Sequence, residues 1–349
     1  MNHTNSLRRY PLAVCLILAA AAPVCAANLH TAIDGVDGPD CGPKGAACRT
    51  ISQAIDNASA GDTVIVGPGV YGDINRNGVF GEAGEEPDRD CGGGPCVLLI
   101  DKPLTVVSEA GAFSTLLEGG EQAPVVVVLT APGVTLGAKN KGFTLQNEVP
   151  NVAAIGILIE PGSGSNVIAG NVFVTDSVGQ AIVGRGEGGD RILDNRFPMK
   201  SDAYAIYYAG DDAEFRRNTI SGVTAGFYIS NSARPVISEN VVVGATFGIY
   251  LANVTDAVVS KCSLVGNTRA IAAVGGGTVT VDGSNLFGRT YADDCTIEAT
   301  SADVTATRCF WGDAAGPGPY PVGGICTPGT ALSTPFATKA HKIKPKPLR

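Results

Sequence analysis

The chain has 349 residues, a formal net charge of −8, 46 glycines, 21 prolines and only 17% charged residues. Its acidity gives a nucleic-acid partner no global electrostatic support. A weakly charged, Gly- and Pro-rich chain points to an all-β body that turns every few residues.

Residues 1–26 read as a Sec-type signal peptide. Arg8 and Arg9 form the positive start, Leu12 to Ala22 the apolar run, and Val24-Cys25-Ala26 or Cys25-Ala26-Ala27 the small-residue cleavage site. The expected location is therefore secreted or periplasmic, in a bacterium. A lipoprotein acylated at Cys25 is disfavoured, because Val24 is large for the preceding position. No later stretch reaches the ~18 apolar residues of a membrane span.

Of the 10 cysteines, Cys15 and Cys25 fall in the signal. The even remainder suits disulfides in an oxidising compartment. Cys41/Cys48 and Cys91/Cys96 are close in sequence and flanked by Gly and Pro, which reads as two local bridges. Cys262 and Cys309 share a repeat column two coils apart, about 9.6 Å in a regular stack, beyond disulfide reach. Cys295–Cys326 is the preferred third bridge, with connectivity among Cys262, Cys295, Cys309 and Cys326 left open.

From Cys48 to Ala58, the spacing of Ile51, Ala54, Ile55 and Ala58 predicts a short amphipathic helix. A strand follows at 63–66. An insertion rich in Gly and acids then spans 73–96. Its start, Asp73-Ile74-Asn75-Arg76-Asn77-Gly78-Val79-Phe80-Gly81-Glu82, follows an EF-hand-type calcium loop. Asp73, Asn75 and Asn77 offer side-chain oxygens, Val79 a carbonyl, and Gly78 the sharp turn. Position 12 is Gly84, so Glu82, Glu85 or Glu86 must supply the bidentate carboxylate. The expected ligand set is Asp73, Asn75, Asn77, Val79 and Glu82, for Ca2+ acting as a brace. The competing reading is a solvated acidic loop tied down by Cys91–Cys96.

From Ala154 to Phe287 one short phrase recurs: Gly156-Ile157-Leu158, Ala181-Ile182-Val183, Ala205-Ile206-Tyr207, Gly226-Phe227-Tyr228, Gly248-Ile249-Tyr250 and Ala270-Ile271-Ala272. Each is followed by an Asn or Cys: Asn171, Asn195, Asn218, Asn240, Cys262 and Asn285. A period of 22–24 residues signals a solenoid whose coils cannot bury their apolar faces alone. Two residues beyond this column lie Phe173, Phe197, Ile220, Val242, Leu264, Phe287 and, one period later, Trp311. These point inward, while Asp194, Arg217, Glu239 and Lys261, one residue before it, point outward and form an alternating charge ladder. Buried Asn suits a ladder in which each amide bonds to the next coil.

The run from Thr50-Ile51 to Tyr71 resembles the N-terminal cap and first coil of a known family. The Asn-bearing coils resemble its repeat. Cys309 to Pro317 resembles its closing Asn-x-Trp-Gly-Asp-x-x-Gly-Pro signature, with Cys309 in place of Asn. The chain is thereby identified as a member of the secreted right-handed parallel β-helix repeat proteins, the pectate-lyase-like superfamily. The resemblance implies an all-β, single-stranded right-handed parallel β-helix with a short N-terminal capping helix. Its extent is 27–336, with the insertion 73–96 and a basic, disordered tail at 337–349. The family includes lyases, glycoside hydrolases, epimerases and adhesins, so the resemblance specifies fold rather than activity.

Two candidate sites lie on the repeat. Tyr207, Tyr228 and Tyr250 each follow an inward residue and would form an outward aromatic ladder on which a polysaccharide or cell-surface glycan could dock. The competing reading is packing of coil on coil. The charged cluster from Arg185 to Arg217 holds the residue types of a lyase or epimerase centre, with Asp190, Arg191, Asp211 and Arg216 as candidates. His30 and His341 lie near the ends, which disfavours a His triad or zinc site in the repeat body. The expected protein is a monomer that binds carbohydrate without catalysis at the cell exterior. The alternative is an acidic-polysaccharide lyase or epimerase.

Overall fold

The computed structural model describes residues 26–343 apart from 78, 88, 93, 121–122, 148–153, 175–178, 200–201, 289–294, 318–323, 327–330 and 333–334. Residues 1–25, nearly all of the expected signal peptide, lie outside the described residues. Each coil passes through three sheets, and each strand pairs in parallel with its counterpart one coil later. Sheet A holds 12 strands, from Asn28–Thr31 to Ala331–Leu332. Sheet B holds 9, from Gly69–Gly72 to Asn285–Gly288, and sheet C holds 11. Among the described residues of sheet C, Arg89–Asp90 runs antiparallel, pairing with Pro95–Ile100 at the end of the insertion. The expected parallel β-solenoid is thus borne out.

The inward columns close the core. Ile168, Ile192, Phe215, Ile237 and Val259 are paired in register along sheet A, and none is exposed. Burying each such side chain stabilises the fold by about 1.5–3 kcal/mol. Phe173 and Phe197 stack at 4.8 Å between ring centres.

The Asn ladder runs along the turn from sheet A into sheet B. Asn171, Asn195 and Asn218 each donate their backbone N–H to the side-chain oxygen of the next Asn, at 2.9, 3.0 and 2.9 Å. The side-chain amides donate back to Leu136, Ile168, Ile192 and Phe215 carbonyls. In this way the buried amides have all their partners in neighbouring coils.

The column slips by one residue where Asn285 was expected to continue it. Ser284 takes the place, accepting from the Cys262 N–H at 3.0 Å. Accordingly Leu286, not Phe287, pairs with Leu264 and is buried. Displaced from the ladder, Asn285 clasps the tail: its side-chain amide donates to the His341 carbonyl (3.0 Å) and its oxygen accepts from the His341 N–H (2.8 Å). The tail, expected to be disordered, is held over 335–343 by this clasp and by Ala337 N–H to the Cys309 carbonyl. Residues 344–349 lie outside the described ones.

The expected helix, α1, spans Ile51–Asn57. Thr50 caps it by accepting from the Gln53 N–H (3.1 Å), as Thr does at an N-cap. Ile51, Ala54 and Ile55 turn inward at the N-terminal end of the solenoid. Lys102 donates to the carbonyls of Ile55 and Ala58 at the other end of the helix. Disulfides Cys41–Cys48 and Cys91–Cys96 are formed. Cys262 and Cys309 are buried thiols, pushed up by burial to about 12 and about 11, and so held unreactive. The side chains of Cys295 and Cys326 lie outside the described residues. No described helix is long and apolar enough to cross a membrane.

Candidate functional site

Sheet C carries an outward column that changes character along the solenoid. It is apolar at Leu99, Val128, Leu158 and Val183, where the Cys91–Cys96 end of the insertion packs over it. One coil later it becomes aromatic. Tyr207, Tyr228 and Tyr250 are in register and all half-buried. Tyr228 stacks on Tyr207 at 5.4 Å and on Tyr250 at 4.8 Å, with ring planes within about 21° of parallel. Tyr204 joins the stack at 4.8 Å from Tyr228. Its own partner in register is Ala225, which is too small to fill the space beside it.

The stacking alters what the strip can offer. Parallel stacked rings spend their faces on one another, so the strip presents ring edges and phenol oxygens rather than broad faces. Burial, with the neighbouring phenols, raises the Tyr228 hydroxyl above its ordinary value. It therefore stays protonated and can donate as well as accept. The Ser230 hydroxyl donates to Tyr207 Oη (3.4 Å).

Three residues extend the strip that sequence reasoning did not include. Phe247 meets Tyr250 edge-on at 5.1 Å. Arg269 lies over Phe247 at 5.7 Å and pairs with Glu298. The signal was present in the sequence: Phe247 precedes Tyr250 by the same interval at which Tyr204 precedes Tyr207.

The four candidates for a catalytic centre have other partners. Asp190 is fully buried. Its carboxylate accepts from the Asn166 backbone N–H (2.8 Å) and side-chain amide (3.0 Å), and from the Tyr208 hydroxyl (2.8 Å). Arg191 pairs with Glu214 at 2.8 Å, and Arg216 with Glu239 at 2.8 Å. Asp211 is exposed and accepts from the Ala233 N–H. The outward charge ladder is real at Asp194–Arg217, a two-bond pair of 2.6 and 3.0 Å.

Burial raises the Asp190 carboxyl above the ordinary Asp value, against the lowering effect of its hydrogen bonds. A raised native value favours the protonated form in the folded state. That contribution is full below the unfolded value of about 3.9 and is lost as pH rises through the native value. Asp190→Asn keeps the shape and removes the charge. It is expected to melt higher than the native chain at pH 7, with the two curves converging towards pH 4. A lower melting temperature at pH 7 would show that the ionised carboxylate is needed.

In the calcium-type loop, Asp73 is buried while Asn75 and Asn77 are exposed. Glu82 accepts from both of their side-chain amides at 2.7 Å. Glu86 is engaged elsewhere: its two oxygens accept from the Ile51 and Ser52 N–H groups at the start of α1 (2.7 and 2.9 Å).

A family model described as right-handed β-helix region matches residues 131–286 and 204–318, together more than half of the chain. No curated protein sequence matches it. A rhamnogalacturonan lyase shares the fold with a TM-score of 0.50 and 11% identity, over 89% of this chain and 87% of that one. A mutant of a periplasmic alginate epimerase gives 0.42 and 11%, over 79% and 70%. The catalytic unit of a thermostable α-1,3-glucanase from Streptomyces thermodiastaticus gives 0.28 and 11%, over 85% and 68%. At 11% identity the likeness to the lyase is one of fold alone.

Proposed function

The chain belongs to the right-handed β-helix family, and from that premise we propose that it is an exported, non-catalytic carbohydrate-binding protein whose tyrosine strip holds a polysaccharide. The observation that carries this reading is the half-buried stack of Tyr204, Tyr207, Tyr228 and Tyr250 on one outer face. Its hydroxyls repeat at coil spacing, so successive units of an extended glycan meet like groups. Tyrosine suits this work, having an apolar body and a polar tip at low cost in side-chain entropy. Disulfides Cys41–Cys48 and Cys91–Cys96 fit an oxidising, exported setting. The rhamnogalacturonan lyase of like fold is in keeping with a polysaccharide ligand but lends no residue roles. The binding reading is favoured because three of the four candidates for a catalytic centre, Asp190, Arg191 and Arg216, are each engaged in a pair or ladder, while the fourth, Asp211, is exposed.

The test is affinity electrophoresis through gels containing neutral or acidic polysaccharides. Tyr228→Ala removes the ring that contacts three others and is expected to weaken retention about tenfold or more. Tyr228→Phe keeps the stack and loses one hydroxyl, for an expected weakening of about two- to tenfold. Retention unchanged in a folded Tyr228→Ala variant would reject the strip as the binding site.

A further inference from the structure

The turn that opens the insertion gathers oxygens that glycan binding does not use. Asp73 is fully buried at its base and accepts from the Asn77 N–H (3.2 Å). The chain passes so close behind it that a Cβ at Gly120 would lie 2.3 Å from Asp73 Oδ2. Glu85 lies against the same turn and is only 5% exposed. Its Oε1 accepts from the N–H groups of Ile74 (3.2 Å) and Asn75 (3.4 Å). Its Oε2, the other oxygen of the same carboxylate, is buried with no hydrogen-bond partner among the described residues. A buried anionic oxygen without a partner is costly, and a cation supplies what it lacks.

The other two glutamates are committed. Glu86 caps α1 with both oxygens. Glu82 is exposed and holds the side-chain amides of Asn75 and Asn77. We propose that Asp73, Asn75, Asn77, the Val79 carbonyl and Glu85 bind a calcium ion, with Glu85 rather than Glu82 as the bidentate carboxylate. The donors are all oxygen, with no Cys or His, which selects a hard cation. Two carboxylates neutralise a divalent ion. A flexible set with a bidentate member suits Ca2+ better than Mg2+, which demands near-ideal octahedral geometry.

The site also has a role in the fold. Glu85 and Glu86 are adjacent, so the ion that fixes one fixes the other, and Glu86 seats the start of α1. Calcium thereby locks the helix that closes the N-terminal end of the solenoid. The Arg76–Glu118 ion pair (2.9 Å) ties the same turn to sheet B. This proposal is independent of the glycan reading.

The test is titration of the chelator-treated full chain with CaCl2 alone, by calorimetry and by thermal melting, with MgCl2 as the comparison. A single site with a dissociation constant on the order of 10⁻⁴ M is expected, as for extracellular calcium modules. Calcium at about 10 mM should raise the melting temperature by about 5 °C and slow tryptic cleavage after Arg76. Glu85→Gln should weaken calcium binding tenfold or more, and Glu82→Gln about threefold or less. If Glu85→Gln does not fold, Asn77→Ala, at an exposed position, should show the tenfold loss instead. No heat and no shift for the native chain would overturn the proposal. So would loss of binding in Glu82→Gln with retention in Glu85→Gln, or full binding by Asn77→Ala.

Discussion

Asn218→Ala is expected to lower stability by about 3 kcal/mol or more. Asn218 is the centre of the buried ladder. Its oxygen accepts from the Asn195 N–H (3.0 Å) and side-chain amide (3.2 Å). Its amide donates to the Ile192 carbonyl (2.8 Å) and the Asn240 oxygen (3.1 Å). Alanine leaves the Asn195 N–H buried without a partner, at about 1–3 kcal/mol, and removes a second bond from the Ile192 carbonyl and one bond each from the Asn195 and Asn240 side chains. Asn218→Asp keeps the acceptor but turns a carboxylate towards two oxygens, so it should be no better. Melting of purified variants measures both. A loss below about 1 kcal/mol for Asn218→Ala would mean that water or relaxation replaces the ladder.

Phe215→Ala is expected to cost about 3–5 kcal/mol. Phe215 is fully buried between Ile192 and Ile237 in its column. It meets Tyr208 and Phe227 edge-on, at 5.3 and 5.6 Å. The loss falls at one place in a structure whose coils contact only their neighbours, so it should uncouple the two flanks of the solenoid. Unfolding is then expected to broaden or divide into two steps, with hydrogen exchange accelerated first around Tyr208 and Phe227. A single sharp transition with a small shift would contradict that picture. By contrast, Val243→Ala, on a side chain 44% exposed, should stay within about 0.5 kcal/mol.

The solenoid was legible in the sequence because each coil repeats the same requirement for inward residues at Ile168, Ile192, Phe215 and Ile237. The ladder was legible up to Cys262 and then slipped. Ser284 and Asn285 are adjacent, and pattern alone prefers Asn, yet a serine hydroxyl accepts from Cys262 equally well. That substitution released Asn285 to hold His341, a contact between residues far apart in sequence that no periodicity announces.

The turn column was read only in part. Asp194, Arg217, Glu239 and Lys261 do point outward, but they also adopt left-handed backbone, with φ from 52° to 58°. Gly170 and Gly283 hold the equivalent places. A charged residue in that conformation looks like an ordinary strand residue in sequence, so the strain of the turn was hidden behind the charge alternation.

At the candidate sites, residue type was easier to read than orientation. The tyrosines were found, but alternation says only that a ring points outward, not whether its face is free. Likewise Asp190 looked like one acid of an outward cluster. It is instead the end of a short internal ladder through Asn166, and its remaining oxygen meets the buried Tyr208. In the calcium-type loop, three glutamates lay within reach and the expected set took Glu82, because spacing does not show which carboxylates are engaged elsewhere. The choice depends on α1, which takes Glu86 out of the set.

The most direct measurement of the central claim is to incubate the native chain with each polysaccharide that retains it and follow retention and chain length together. The account predicts retention that depends on Tyr228, with no change in chain length and no absorbance from unsaturated ends. Shortened chains or unsaturated products with the native protein, absent after Asp190→Asn or Arg216→Ala, would contradict it and place catalysis in the charged cluster.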